Sequence, residues 1–461
     1  AKEYERLTGV KINYQHPPTG QAKDQFNLIL ASRDFPDIMD YQWLKNYPGG
    51  PQKALDDDVV VNLNDVISQY SPDLRAYLDA NPDIDKQVRT DEGNYYVYPF
   101  IREADAMCAS LGPMIRQDWL DDLGLAMPKT LAELENVLIQ FRDQKGAIAP
   151  YTFDHKGYKA NDPIMYANGT TNTFQIDGNG EIVYGAITPE YKSYLETLNR
   201  WYKEGLLDPD FATIDRTQQD AKVTTGQSGM TLGWVGSGMG AWNPAGQQND
   251  PNFLLAPLNY VSVDGGKPEY GYLEFRYGGQ GSCAITTGCD DVELAARYLN
   301  FGYTDEGYMA NNFGTEGESY TMVNGTPTYT DFVLANPDGW PVAQGLGAYV
   351  RSAYSGQFIQ SLGYQDQYFT TDVQRQGPPL WSQTNMDAHR MPNITPTSEE
   401  STELATIMND IETYRDEMTL KFILGTESLD KYDTYVSTIE NMNLASALEI
   451  QKAALVRFNN R

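Results

Sequence analysis

The chain has 461 residues, with 34 Lys and Arg against 63 Asp and Glu, a formal net charge of −29. That length allows two or three domains with cores of their own, and 41% hydrophobic with 21% charged residues describes an ordered chain. So large an excess of acid repels polyanions and argues against nucleic acid as a partner. No stretch approaches the ~20 consecutive apolar residues of a membrane span, and residues 1–20 carry charge where an export signal is apolar.

In chain order the pattern is α/β. Ala1–Thr8 reads as the tail of a helix, followed by Gly9 and a strand-like Val10–Tyr14, so the front is expected to lack a preceding signal and first strand. Phe26–Ala31 continues a helix into a short strand at Ile38-Met39. A helix begins at Asn64 and stops before Ser71-Pro72; Asn94–Phe100 alternates as a strand, and Leu111–Ile115 forms another. Thr130 and Glu133 make a capping box, with Leu134, Val137, Leu138 and Phe141 at helical spacing behind it. Asp177-Gly178-Asn179-Gly180 predicts a hairpin turn. Thr188-Pro189 caps a helix ending at Gly205, and Asp290 with Glu293 reads as a second capping box. Leu404, Ile407, Met408, Ile411 and Met418 open a largely helical end, with further helices from about Ser428 and Asn443. Gln357–Pro396, rich in Gln, Tyr, Thr and Pro, lacks periodicity, a texture expected of functional loops.

Three cysteines (Cys108, Cys283, Cys289) do not make a disulfide framework, although a Cys283–Cys289 bridge stays open. Three histidines (His16, His155, His389) have no partner at metal-ligand spacing, so no metal and no cofactor is expected. Gly236-Ser237-Gly238-Met239-Gly240 misplaces the third glycine of a dinucleotide loop. It reads better as bare backbone that lets a ligand approach between Trp234 and Trp242. Asp177–Glu181 lacks the sixth-position glycine and distal glutamate of a calcium loop. The 63 carboxylates guarantee some pair at glycosidase spacing, yet no local signature designates an acid and a nucleophile. With 32 Tyr and 7 Trp, the chain is rich in rings that pair an apolar face with a polar tip, which suits a sugar-facing cleft.

Several segments together resemble the extracellular solute-binding proteins of ABC importers, in particular the large oligosaccharide-binding lipoproteins of Gram-positive bacteria and their alginate-binding relatives. They are Phe26–Ser32 with Phe35-Pro36-Asp37-Ile38, Tyr47–Pro51, Leu63-Asn64-Asp65, Tyr98–Arg102, Ile115–Leu120, Leu123–Leu125 with Pro128–Thr130, Trp201–Pro209 and Asn312–Gly317. The resemblance covers nearly the whole chain. It implies a periplasmic-binding-protein-like (type II) α/β fold with two lobes, hinge segments and a ligand cleft between them. Lobe one would hold 1–111 plus about 284–335, and lobe two 112–283 plus about 336–461. It further implies a non-catalytic, surface-anchored extracellular lipoprotein, a monomer that delivers oligosaccharide to permease subunits. The calcium loop of the alginate-binding relatives is replaced here by Arg142–Ala147, so no calcium is carried over.

Within such a cleft, aromatic walls and sparse polar groups are expected. Trp43 should reach it from lobe one, and Trp234 and Trp242 should line lobe two. Trp381, with Tyr354 or Tyr368, should add a platform, and Arg102, Arg276 and Tyr277 should supply polar contacts. Trp119 and Trp201, on helix faces of scaffold segments, should be core. The rival readings are a polysaccharide-active hydrolase or lyase, and a receptor for a non-sugar solute such as a peptide.

Overall fold

The computed structural model describes residues 2–18, 20–279, 281–336, 338, 340, 342–350 and 355–461. Twelve short strands occur among them: β1 (Ile38–Tyr41), β2 (Phe100–Arg102), β3 (Leu111–Arg116), β4 (Tyr151–Thr152), β5 (Phe174–Ile176), β6 (Ile182–Tyr184), β7 (Met230–Trp234), β8 (Leu255–Pro257), β9 (Ser282–Ile285), β10 (Tyr320–Val323), β11 (Thr326–Tyr329) and β12 (Phe358–Gln360).

They build two α/β bodies, each around its own apolar core. In the first body β1 pairs antiparallel with β9, Tyr98 bridges to Cys283 of β9, and β12 runs parallel to β2. Its core joins Phe26, Trp43, Leu63, Leu74, Leu78, Tyr96 and Val97 to Tyr277, Ala284, Ile285, Leu299 and Ile359. In the second body the sheet order is β4-β7-β3-β8. Its core extends from Ala109 through Trp201, Trp242 and Trp381 to Ile411, Phe422 and Ala447. A third, small core (Phe313, Tyr320, Tyr329, Val333, Leu346, Tyr364) adheres to the first body, where Asn312 Nδ2 donates to the Ile359 carbonyl at 2.9 Å.

Local signals act as their chemistry dictates. Thr130 and Glu133 form the full capping box of helix Leu131–Lys145, and Thr188 caps Pro189–Lys203 through the Tyr191 amide. The Asp177–Gly180 turn joins β5 to β6. Helices Ser398–Leu424, Tyr432–Ile439 and Ala445–Asn459 occupy the end of the chain. Among the described residues no helix is long and apolar enough to cross a membrane.

Other expectations shift. The cap of helix Val292–Asn300 is Asp291, one residue beyond Asp290, because its carboxylate is the one that reaches the Leu294 amide. Val10–Tyr14 finds no ladder partner among the described residues; Val10 and Ile12 pack on the first core instead. Tyr95–Tyr98 are all buried rather than alternating, so regular pairing starts only at Phe100. Gln357–Pro396 contains β12 and helices Leu362–Tyr368 and Asp372–Trp381, the latter admitting Pro378 and Pro379 in its interior. The cysteines are free thiols; Cys283 Sγ faces Gln357 Oε1 at 3.2 Å. Tyr277, Cys283 and Ile359 of β12 pack in the first core, and Phe369 packs in the second.

Candidate functional site

Strand polarity places the site. In the first body β1, β2 and β12 end at the edge where β9 begins. In the second body β4 and β7 end at the edge where β3 begins. The chain leaves β2 and enters β3 across residues 103–110, so the two edges face one another. Unpaired backbone groups at strand ends make such a crevice the ordinary ligand position in open α/β sheets.

Three segments cross between the bodies and are tied side by side. The Arg102 amide donates to the Arg276 carbonyl at 2.9 Å and the Glu274 amide to the Cys108 carbonyl at 2.9 Å. From the third segment, Arg390 Nη1 donates to the Glu274 carbonyl and Asn393 Nδ2 to the Tyr277 carbonyl, both at 2.6 Å.

Four of the expected residues meet here. Trp234 ends β7, is half-buried and stands edge-on to Tyr272 at 5.5 Å. Burial raises the Tyr158 hydroxyl above the usual phenol range, and nearby Arg216 and Trp234 act against that rise. Arg102 is buried and paired with Glu274, and donates to the Phe275 carbonyl at 3.2 Å. Arg276 is half-buried; its Nε donates to the Arg102 carbonyl at 2.9 Å and its Nη2 to the Tyr77 hydroxyl at 2.7 Å. Tyr368 lies across the bare face of Gly236, where a Cβ would come within 2.3 Å of its ring.

Four others do not present an open ring. Trp43 is stacked on Tyr47 inside the first core, its Nε1 donating to the Met39 carbonyl at 3.2 Å. Tyr277 shares hydroxyls with Tyr96 at 2.9 Å in the same core. Trp242 fills the space beside Gly233 and Gly238 while its Nε1 donates to Asp220 at 2.6 Å. Trp381 packs on Gly112 with Nε1 donating to the Leu258 carbonyl at 2.8 Å. The glycines at 236–240 are therefore bare for protein side chains: Tyr368, Trp242 and Gln374 occupy the room they leave. A strand does lead into them, and helix Gly240–Gln247 follows. Tyr354 lies outside the described residues. Trp119 and Trp201 are both buried, as their helix positions imply.

Sequence reasoning missed Tyr272, Tyr77, Tyr308 and Glu103. The Tyr270-Gly271-Tyr272 alternation was a signal for the first. Tyr77 and Tyr308 sit on ordinary helices and gave none. Burial beside Glu274 holds the Tyr272 hydroxyl protonated, well above the usual phenol range. Within Arg142–Ala147, at the end of helix Leu131–Lys145, the one carboxylate, Asp143, is paired with Arg142 at 2.7 Å, so these residues do not fit a calcium ion. Among the described residues no three His, Cys, Asp or Glu side chains converge as a metal site requires.

His155, past the end of β4, is buried against Phe153 and Phe211, and that burial pushes its pKa down to about 4 from 6.5. The unfolded chain takes up this proton first, so the contribution is whole above pH 6.5 and is lost as pH falls through 4. Asp162 acts in the opposite sense. Burial raises it to about 6, so the folded chain keeps a proton that the unfolded chain releases above pH 3.8. The overall profile mixes the two, but a difference isolates one. Between pH 7 and pH 4 the native chain should lose about 2–3 kcal/mol relative to His155→Gln, measured by urea unfolding.

A family model described as bacterial extracellular solute-binding protein matches residues 1–309. Lipoprotein LipO of Bacillus subtilis (strain 168) is 24% identical over 339 residues, 71% of this chain and 65% of LipO. The polygalacturonan/rhamnogalacturonan-binding protein YtcQ of the same organism is 26% identical over 294 residues, 58% of this chain and 52% of its own. The fructooligosaccharide ABC transporter substrate-binding protein FusA of Streptococcus pneumoniae serotype 4 is 23% identical over 338 residues, 68% and 59% of the two chains. The matches thus span between 52% and 65% of these relatives' lengths. Among solved structures, the alginate-binding protein AlgQ2 without calcium ion superposes with a TM-score of 0.81 at 24% identity, covering 99% of this chain and 93% of AlgQ2. FusA in complex with kestose gives 0.79 at 19%, covering 100% and 95%. These likenesses establish the fold as the type II, two-lobed α/β architecture of periplasmic binding proteins. With the family model matching 309 residues from the first body into the second and back, the chain belongs to the bacterial extracellular solute-binding protein family.

Proposed function

We propose that this chain is the extracellular substrate-binding component of an ABC importer, which holds an oligosaccharide between its two bodies and delivers it, unaltered, to membrane permease subunits. The observation that carries this reading is the half-buried Trp234–Tyr272 pair at the strand ends, set among the hydrogen-bonding groups of three crossing segments. An indole face covers the apolar face of a pyranose or furanose ring, while carboxylates and guanidiniums pair with its hydroxyls. Sugar touching both bodies at once stabilises the closed arrangement in proportion to the contacts that exist only there. FusA and YtcQ, by their names, bind fructooligosaccharide and polygalacturonan/rhamnogalacturonan; both support the carbohydrate reading. LipO, named a lipoprotein, supports a lipid-anchored chain at the cell surface. The protein is read as a monomer without catalytic activity, and its acidity directs it away from nucleic acid.

The test is calorimetric titration with a glycan panel, followed by chromatography of the recovered sugar. Micromolar binding, about −8 kcal/mol, with sugar recovered intact is the expected result; products accumulating beyond one equivalent would make the protein a hydrolase or lyase. Trp234→Ala should weaken binding about twofold to twelvefold, the loss of one stacking platform worth about 0.5–1.5 kcal/mol. Unchanged affinity would remove Trp234 from the site.

A further inference from the structure

The first-body edge of the crevice carries a polar pair. Glu103 follows β2, is exposed, and is fixed through a single oxygen: Oε2 accepts the Leu362 amide at 2.6 Å and the Tyr308 hydroxyl at 3.1 Å. Among the described residues no hydrogen bond engages its Oε1. Arg276, bonded to the carbonyl of the preceding residue, Arg102, spends Nε there and Nη2 on Tyr77. No carboxylate lies within ion-pair distance of it among the described residues, whereas Arg102 is matched by Glu274 and Arg390 by Asp387. Burial raises the Tyr77 hydroxyl above the usual phenol range, with Arg276 acting against that and Asp83 and Glu103 adding to it. The edge therefore offers one aimed acceptor and one aimed donor, each with capacity left over.

We propose that Glu103 and Arg276 read neighbouring hydroxyls of an uncharged sugar unit, and that the site selects neutral oligosaccharides over uronate-containing ones. Glu103 Oε1 accepts from one hydroxyl and Arg276 donates to the next, a charge-assisted pair that fits a vicinal diol. A uronate carboxylate in the same place would stand beside Glu103. The neighbouring cations are already matched, Arg102 by Glu274 and Arg390 by Asp387, so neither adds net positive charge to receive it. This assignment rests on the oligosaccharide-receptor reading and adds the class of sugar to it.

The experiment is calorimetry of the full chain against two sets of probes: neutral fructo-, malto-, manno- and galacto-oligosaccharides, and oligogalacturonates with oligoalginates. A neutral member should bind at least tenfold more tightly than any uronate. Glu103→Gln, which keeps an oxygen for the Leu362 amide, should weaken that ligand at least tenfold, and Arg276→Gln should do likewise. Glu103→Asp, which draws the carboxylate back from the diol, serves as the second variant, and unchanged melting temperatures show that each variant is folded. Tight binding confined to uronates, or full affinity in Glu103→Gln, overturns the assignment and leaves the receptor reading standing. Binding of no saccharide in either set overturns the receptor reading and the assignment with it.

Discussion

Trp381→Ala should cost the protein about 3–5 kcal/mol, the range for emptying a large aromatic site in a packed core, and lower its melting temperature on the order of 10 °C. The indole is fully buried; its ring rests on Gly112, where a Cβ would lie 2.2 Å from it, and its Nε1 donates to the Leu258 carbonyl at 2.8 Å. Truncation leaves a cavity between helix Asp372–Trp381 and strands β3 and β8 and strands that carbonyl without its donor. Neighbouring side chains collapse only partly into such a space. Urea unfolding reads the loss, and calorimetry on the folded variant should find sugar affinity close to that of the native chain. Native stability with binding abolished would instead put Trp381 on the ligand.

Asp91→Asn should be comparably severe, about 3–5 kcal/mol, because it removes the anion from a buried pair while its cation stays. Asp91 and Arg461 each expose only 2% of their side chains. Arg457 Nε reaches the same carboxylate at 2.8 Å, and Thr395 closes the cluster. Arg457 also pairs with Glu400 at the start of helix Ser398–Leu424. That helix has 27 residues, about 40 Å of rise, and its far end is held by the second body, where Asn199 Nδ2 donates to the Phe422 carbonyl at 2.8 Å. The Asp91 cluster is thus the first-body anchor of a helical strut that touches both bodies. Urea unfolding measures the effect. Because the pair is buried, the loss should change little between low and high salt, whereas a surface pair would be screened.

What the sequence reveals and what it conceals follow from range. The Thr130–Glu133 box, the Asp177–Gly180 turn and the Thr188-Pro189 cap are decided within a few residues, and each forms as the chain is read. Two lobes were legible through ordered family segments rather than periodicity, whereas the pairing of β12 with β2, across more than half the chain, was not. The site divides the same way. Trp234, Arg102 and Arg276 sit at strand ends and crossing segments, where position along the chain already implies the crevice. Trp242 and Trp381 look identical to platforms in sequence, because a glycine that admits a ligand and a glycine that admits an indole are the same residue. Only the three-dimensional pairing of Gly233 with Trp242, and of Gly112 with Trp381, tells them apart. Trp43 was misjudged for a related reason: the helix Trp43–Asn46 turns it back onto Phe26 and Tyr47.

The most direct measurement is small-angle X-ray scattering of the chain alone and saturated with the tightest neutral oligosaccharide found by calorimetry. Bodies that close on sugar at the Trp234–Tyr272 crevice should give a smaller radius of gyration with ligand bound, and the contraction should disappear in Trp234→Ala at the same sugar concentration. An identical radius with and without saturating sugar would contradict capture between two moving bodies.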